Sequence, residues 1–434
     1  MPTSRRHLLR SLSLALPASA APGLAACAIG RQDAPAAPAA RAAGKVELWS
    51  IYANSPAGPK IKADIERKYP GLTLDVWEAP VNNEIPTKLT VAAAGGTPPD
   101  CIYINAPFWR DCARLLQPLD AFIKRDAKRI DYDDYLPISP QAATVRGKVM
   151  GLGLEVAVRV FWFNTSIFQE KGVPPPVRPG GPSKLDYKQQ EELAQQLTFP
   201  RGEAAVFGLF VNRGWFEILT YVTGFGGTFL DADHTRCLLD SPQAIAGMEY
   251  AFELVDRKRL SPATGGIAMY EQANTVAMLQ NNAARAQNLR RTDYGVRWDV
   301  GPVVQGPAAP LTFAFVHHAG IAQGAKNPEG GWTAIAEWTG RDANRHWMTG
   351  HGWPAARKSY LDTYVREGEA PPESRQNVVE WMKVSPVVTM PAGHNGTIQP
   401  AAQTIMNEAI AGQRTPRDAA TTLAREVTSL LEKT

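Results

Sequence analysis

Residues 147–164 read Gly-Lys-Val-Met-Gly-Leu-Gly-Leu-Glu-Val-Ala-Val-Arg-Val-Phe-Trp-Phe-Asn, an apolar run longer than one ordinary strand needs. β-branched and aromatic side chains dominate it, the pattern of extended chain covered on both faces. Beyond Lys148 only Glu155 and Arg159 carry charge in this run. A charge inside a buried strand is costly unless it is paired, and the cost is easiest to justify where a cleft opens. We therefore read the stretch as a segment crossing between two lobes; a mutual Glu155 to Arg159 pair is the alternative use of the two charges. The chain has 434 residues, more than a single core usually serves, so two lobes are expected on length as well.

The remaining bulk properties mostly exclude. The formal charge of +4 falls to +1 once residues 1–26, with Arg5, Arg6 and Arg10 and no acid, are set aside. Such a balance asks for no nucleic-acid partner. Four cysteines, none in Cys-x-x-Cys spacing, indicate neither a disulfide scaffold nor a zinc or redox motif. Cys101 on an expected strand and Cys112 on the helix behind it are the one pair for which a disulfide after export comes into question.

The N-terminus reads as an address. Ser4-Arg5-Arg6-His7-Leu8-Leu9-Arg10 has the twin-arginine form, followed by an Ala-rich apolar run too short and too interrupted by Pro17 and Pro22 to span a bilayer. Leu24-Ala25-Ala26-Cys27 looks like a bacterial lipobox, with Cys27 as the lipidated residue; a chance cysteine after a plain signal peptide is the bland alternative. Residues 1–26 are thus expected to be a twin-arginine lipoprotein signal peptide, and residues 27–44, rich in Ala and Pro, an anchored and disordered tether.

From Lys45 onward, local patterns alternate. Lys45-Val46-Glu47-Leu48-Trp49 and Leu72-Thr73-Leu74-Asp75-Val76-Trp77 read as strands, and Ile61, Ile65 and Tyr69 stripe a helix between them that stops at Pro70-Gly71. A strand, a crossover helix and a strand imply a parallel pair. A second helix from Glu84 ends at Gly95-Gly96 before the strand Cys101-Ile102-Tyr103-Ile104. Later, a helix is expected over residues 187–197. Ser241 caps another helix, with Pro242 in its first turn and Ile245, Met248, Phe252 and Val255 as its stripe, and Thr415-Pro416 opens a last one striped by Leu423, Val427, Leu430 and Leu431. Asp231, Asp233 and Thr235 have the spacing that opens a calcium loop, but Arg236 stands where Gly is needed, so the segment reads as a turn.

Several of these stretches resemble one family, the bacterial extracellular solute-binding proteins (family 1) that feed sugars to ABC importers. The marks are the Ala-Ala-Gly-Gly-Thr-Pro-Pro-Asp run ending at Asp100, the crossing to Asn164, the Gly226-Gly227 turn, and the Gly352 to Arg357 segment. The chain departs by carrying Gly153 where the family usually has Pro, which implies a looser hinge, and by lacking a Thr-Trp motif near residue 187. The resemblance implies an α/β, two-lobed periplasmic-binding-protein-like fold of type II with several crossing segments. Lobe I (α/β) would comprise 45–155 plus 308–350, and lobe II (mostly helical α/β) 156–307 plus 351–434.

It also implies a lipid-anchored binding protein, outside the cytoplasmic membrane, that closes on a sugar and docks on permease subunits. A sugar needs aromatic surfaces for its C–H faces and charged or amide groups for its hydroxyls. Tyr52 and Asn54 follow the first strand, where open α/β sheets bind ligands. Loops that the family uses for its cleft carry Asn105, Trp109, Asn212, Trp215, Trp353 and Arg357, and Glu155, Arg159 and His317 lie on the crossings. His317 and His318 are neighbours on a strand, so at most one faces a cleft. Core packing is the alternative for each Trp. No Gly-x-Ser-x-Gly, His-Glu-x-x-His or Walker-type Gly-Lys-Ser/Thr occurs, and neither enzyme activity, cofactor nor metal is expected; a monomer is. Arg159, Arg213 and Arg357 raise the variant of an anionic sugar derivative or polyol phosphate. The alternatives of other classes are a secreted glycoside hydrolase or lyase, whose paired carboxylates a single sequence cannot reveal, and a purely structural surface lipoprotein.

Overall fold

Alternation of apolar and polar residues at 45–49 forms β1 (Gly44–Ser50), which buries Val46 and Leu48 and exposes Lys45. It pairs in parallel with β2 (Leu72–Glu78) and β3 (Cys101–Ile104). The connecting helix Gly58–Lys68 turns Ile61 and Ile65 inward, and the Tyr69 N–H closes it on the Ile65 carbonyl before Pro70. The structure is a computed structural model that describes residues 43–81, 84–177, 184–291, 295–391 and 397–432. The expected signal peptide, Cys27 and the tether up to residue 42 lie outside the described residues.

The long apolar run forms β4 (Leu152–Asn164), 13 residues that are all buried. At about 3.3 Å per residue it spans roughly 40 Å. Its first half, residues 152–158, runs antiparallel to β9 (Ala314–Ile321), which in turn pairs with β3. Its second half pairs with β7 (Val276–Asn282) and β8 (Trp298–Val300). Beyond β7 lie β6 (Ala204–Phe210) and β5 (Phe199–Arg201), so the order is β2-β1-β3-β9-β4-β7-β6-β5 with β8 also on β4. One strand thereby serves both ends of the sheet.

Two hydrophobic cores flank this strand. The first gathers Leu48, Ile61, Leu152, Leu154, Ile321, Trp332, Trp338 and Trp347, and the second gathers Val156, Trp162, Trp215, Met248, Phe252, Leu423 and Val427. Along β4 the core changes between Leu154 and Val156, at Glu155; along β9 it changes between Val316 and Ala319, at the two histidines. A third segment leaves the helix Arg341–His351 through Gly352, whose φ of 65° suits glycine. It then runs beside β4: Val156 N–H donates to the Pro354 carbonyl (3.2 Å) and Ala356 N–H to the Leu154 carbonyl (3.0 Å).

The capped helices form as their sequences dictate. Ser241 Oγ accepts from the Ala244 N–H at the start of Pro242–Asp256, and Thr415 Oγ1 from the Asp418 N–H at the start of Pro416–Leu431. The helix Tyr187–Gln196 opens with a capping box between Asp186 and Gln189. Asp231 accepts from the Thr235 and Arg236 N–H groups, closing a turn on itself.

Two expectations change. Gly153 does not act as a loosened hinge: it lies within β4, and a Cβ there would stand 2.1 Å from Ser139 Oγ and 2.9 Å from Val316 Cγ1. Its lack of a side chain lets the helix Ile138–Ala143 press onto the strand. Cys101 and Cys112 form no disulfide; both are buried free thiols, as is Cys237.

Candidate functional site

Where the first core gives way to the second, β4 presents Glu155 with 1% of its surface exposed. Opposite it in the register stands His317, whose Nδ1 lies 3.1 Å from Glu155 Oε2. That is within ion-pair reach but out of line for a hydrogen bond, so neither carboxylate oxygen has a hydrogen-bond partner among the described residues. Two phenols share the region. Burial first, then the Glu155 charge, push the Tyr52 and Tyr103 hydroxyls above the ordinary tyrosine range. Both phenols therefore stay protonated and able to donate, and the Tyr103 hydroxyl is itself without a partner among the described residues.

Aromatic rings wall this polar group. Trp353 meets Tyr52 edge-on at 4.8 Å, packs 4.2 Å from His351 and stacks on Trp347 at 5.2 Å with only 10° between the planes. The His317 ring is 6.4 Å from Trp353. The elements responsible are the loop after β1, the middle of β3, the β4 and β9 crossings, and the C-terminal end of the helix Arg341–His351.

Arg159 shares the face of Glu155, two alternations along β4, with Ala157 between them. Its guanidinium forms a two-pronged bond to Glu217, Nε to Oε2 at 2.9 Å and Nη2 to Oε1 at 3.1 Å. Three rings surround it: its central carbon is 4.8 Å from the centre of Phe313, 5.4 Å from Phe216 and 5.7 Å from Phe315. Phe216 stacks on Phe315 at 4.7 Å. Glu155 and Arg159 thus pair with other residues rather than with each other.

Of the residues singled out from sequence, Tyr52, Glu155, His317 and Trp353 come together. Asn105 follows Ile104, which pairs with His318 on β9, and so borders this group, and Arg159 lies further along the face of Glu155; the remaining ones lie apart from them. Trp215 is buried in the second core, edge-on to Phe229 at 5.0 Å, while its neighbours Phe216 and Glu217 face Arg159. Asn212 Oδ1 accepts from the Gly214 N–H, and Arg213 reaches Asp256 Oδ1 and the Ala263 carbonyl, each at 2.9 Å. Asn54 is exposed and its backbone N–H donates to Glu78. Asn105 is buried at the end of β3 with Oδ1 unpartnered among the described residues. Trp109 lies in the first core against His318, 4.7 Å away. Arg357 is buried, over the Tyr135 ring at 4.0 Å, and donates to the Thr339 and Ile130 carbonyls at 3.1 Å while its Nη1 is 3.5 Å from Asp134.

The two histidines part company as neighbours on a strand do, and β4 and β9 also slip by one residue between them. His318 turns to Trp109 and the Ser139 carbonyl, and burial pushes its pKa down to about 3. Sequence reasoning missed Tyr103, Trp347, His351, Phe216 and Glu217. Only the Phe313 and Phe315 alternation was visible as a one-faced pattern. Among the described residues no group of three or more His, Cys, Asp and Glu side chains is arranged to hold a metal ion.

The fold matches solved structures of binding proteins. The cyclic alpha-maltosyl-1,6-maltose binding protein from Arthrobacter globiformis superposes with a TM-score of 0.76 at 17% identity, over 90% of this chain and 100% of that one. UgpB from Mycobacterium tuberculosis, in complex with glycerophosphocholine, gives 0.72 at 16% identity, over 90% and 99%. The molecule thus has the two-lobed fold of the type II periplasmic binding proteins, its lobes joined by several crossing segments. In sequence, the family model described as bacterial extracellular solute-binding protein matches residues 52–345. A putative binding protein of Brucella abortus (strain 2308) is 22% identical over 342 residues, 75% of this chain and 80% of that protein. The chain belongs to the bacterial extracellular solute-binding proteins.

Proposed function

We propose that this protein captures a small neutral sugar or short oligosaccharide between its lobes and delivers it, unaltered, to the permease of an ABC importer. The observation that carries the reading is the set of buried polar atoms at the seam of the two cores that have no partner among the described residues. The Glu155 carboxylate and the Tyr103 hydroxyl lie among the rings of Tyr52, Trp353 and His351. A packed interior rarely leaves such atoms unsatisfied without a reason. Sugar hydroxyls would supply donors to the carboxylate and acceptors to the phenols, and the C–H face of the ring would lie on Trp353.

The three arginines that prompted the anionic variant each stand against a carboxylate: Arg159 with Glu217, Arg213 with Asp256 and Arg357 with Asp134. That favours a neutral ligand. Closure is a population shift whose free energy comes from contacts made only when both lobes touch the ligand, and no bond is made or broken. The change of core at Glu155 on β4, between Val316 and Ala319 on β9 and between Trp353 and Ala356 on the third segment supports lobe boundaries at those three places, which moves the expected limits at 308 and 350 to the two histidines and to just past Trp353. Export by the twin-arginine route, anchoring through Cys27 and a monomeric state complete the reading, supported by the sequence of residues 4–27 and the ordinary surface charge.

A thermal-shift screen of the folded chain against neutral sugars, sugar acids, polyol phosphates and peptides tests it. Ligand at 100 times its Kd adds about 2.7 kcal/mol to stability, so neutral sugars should raise the melting point. A rise with sugar acids or phosphates alone would replace the neutral ligand by an anionic one, and release of product from glycans would replace binding by hydrolysis. Cys27→Ala should abolish acylation of the precursor in cells fed labelled palmitate; continued labelling would remove the anchor assignment.

A further inference from the structure

Among the contacts outside the site, one links the two cores directly to a wall of the site. The segment 283–291 follows β7 and lies at the seam: Ala283, Ala286 and Leu289 belong to the second core, while Ala284 packs against the first. From its helix, Ala286–Arg291, the half-buried Gln287 reaches the end of the helix Arg341–His351. Gln287 Nε2 donates to the Gly350 carbonyl at 2.8 Å, and its Oε1 lies 3.1 Å from His351 Nδ1. With the amide in that orientation, Nδ1 of His351 is the donor. The Gly350 carbonyl is among those that a helix end leaves without an internal partner, so one amide satisfies it and fixes the tautomer and orientation of the neighbouring imidazole.

His351 is no bystander to the site. Its ring lies 4.2 Å from Trp353, 5.4 Å from Trp347 and 5.6 Å from Tyr52, so its tilt sets how the aromatic wall is presented. We propose that Gln287 is an interlobe latch and a positioning residue: it favours the state in which the lobes are together and holds His351 against Trp353 in that state. Separating the lobes would break both of its bonds at the same moment. Lobe closure and the shape of the ligand wall are thereby tied to one side chain that need not touch ligand. The inference rests on the two-lobed closing mechanism proposed above, but not on the ligand being a sugar.

The test needs no ligand. Spin labels on cysteines introduced at Val91 and Arg425, both exposed and on opposite lobes, would report the interlobe distance by double electron–electron resonance. A Cys27→Ser background keeps labels off the N-terminus, and the native Cys101, Cys112 and Cys237 are buried. Gln287→Met keeps the bulk and removes both bonds; Gln287→Ala removes the bulk as well. Two bonds of ordinary net strength predict a shift of about tenfold or more in the open-to-closed ratio for both variants. A lower melting point with an unchanged distance distribution would make Gln287 a structural cap only and overturn the proposal, as would opening in the Ala variant but not in the Met variant. Because the distances are read without ligand, failure of the sugar screen would leave this result standing, and the reverse.

Discussion

Replacing Glu155 by glutamine should make the empty protein more stable and a poorer binder. The substitution keeps the shape of the side chain and removes a charge that is 1% exposed and accepts no hydrogen bond among the described residues. An unsatisfied buried polar group costs about 1–3 kcal/mol, more when charged. The His317 contact at 3.1 Å offsets part of this, though its poor alignment limits the gain. We therefore expect Glu155→Gln to add about 1–3 kcal/mol to the ligand-free protein, a rise of roughly 1–4 °C for a chain of this size. Binding should move the other way. Hydrogen bonds to a charged acceptor contribute about 1.5–3 kcal/mol each, so loss of one weakens a sugar by roughly 10- to 150-fold. Scanning calorimetry of the empty protein and titration calorimetry with the sugar found by screening measure the two quantities separately. A lower melting point for the empty variant would refute the reasoning, because Glu155 and His317 would then be a stabilising pair rather than a site held ready for a ligand.

Further outcomes follow from the same geometry. Trp215→Ala should lower stability by about 3–5 kcal/mol, the usual result of truncating a buried Trp, with the Kd of the folded protein changed less than twofold; a weaker Kd at unchanged stability would return this ring to the ligand. His318, with its pKa pushed down to about 3 from 6.5, binds a proton in the unfolded chain before it does so in the folded one. Its contribution is therefore complete above pH 6.5 and is lost as pH falls from 6.5 toward 3; thermal melts of His318→Gln across that window should show a shallower acid dependence than the parent. Gly153→Ala, whose new methyl would meet Ser139 Oγ at 2.1 Å, should cost about 1–3 kcal/mol in denaturant melts, and adding Ser139→Ala should restore part of it. An additive double variant would place the strain elsewhere.

Much of the architecture was legible in the sequence because the signals that specify it are local. Period-two alternation marked β1 and β2, the unbroken apolar run marked β4 as a strand covered on both faces, and Ser241 and Thr415 marked helix starts that their side chains do cap. The placing of charges at Glu155 and Arg159 was also visible, and so was the need for something to meet them. Their partners were not, because His317 and Glu217 lie far away along the chain.

Those meetings were left to the tertiary structure. The register of β9 against β4 decides that His317 rather than His318 faces Glu155, which sends His318 under Trp109. The loop after Asn212 turns Phe216 and Glu217, rather than Trp215, toward Arg159, and the fold draws Arg357 inward to Asp134. Sequence by itself determined which segments are strands, helices and crossings, since hydrogen-bond period and apolar spacing act within a few residues. Which side chains face one another across the seam depends on register, bulges and the packing of distant segments, and these are settled only when the chain has closed on itself.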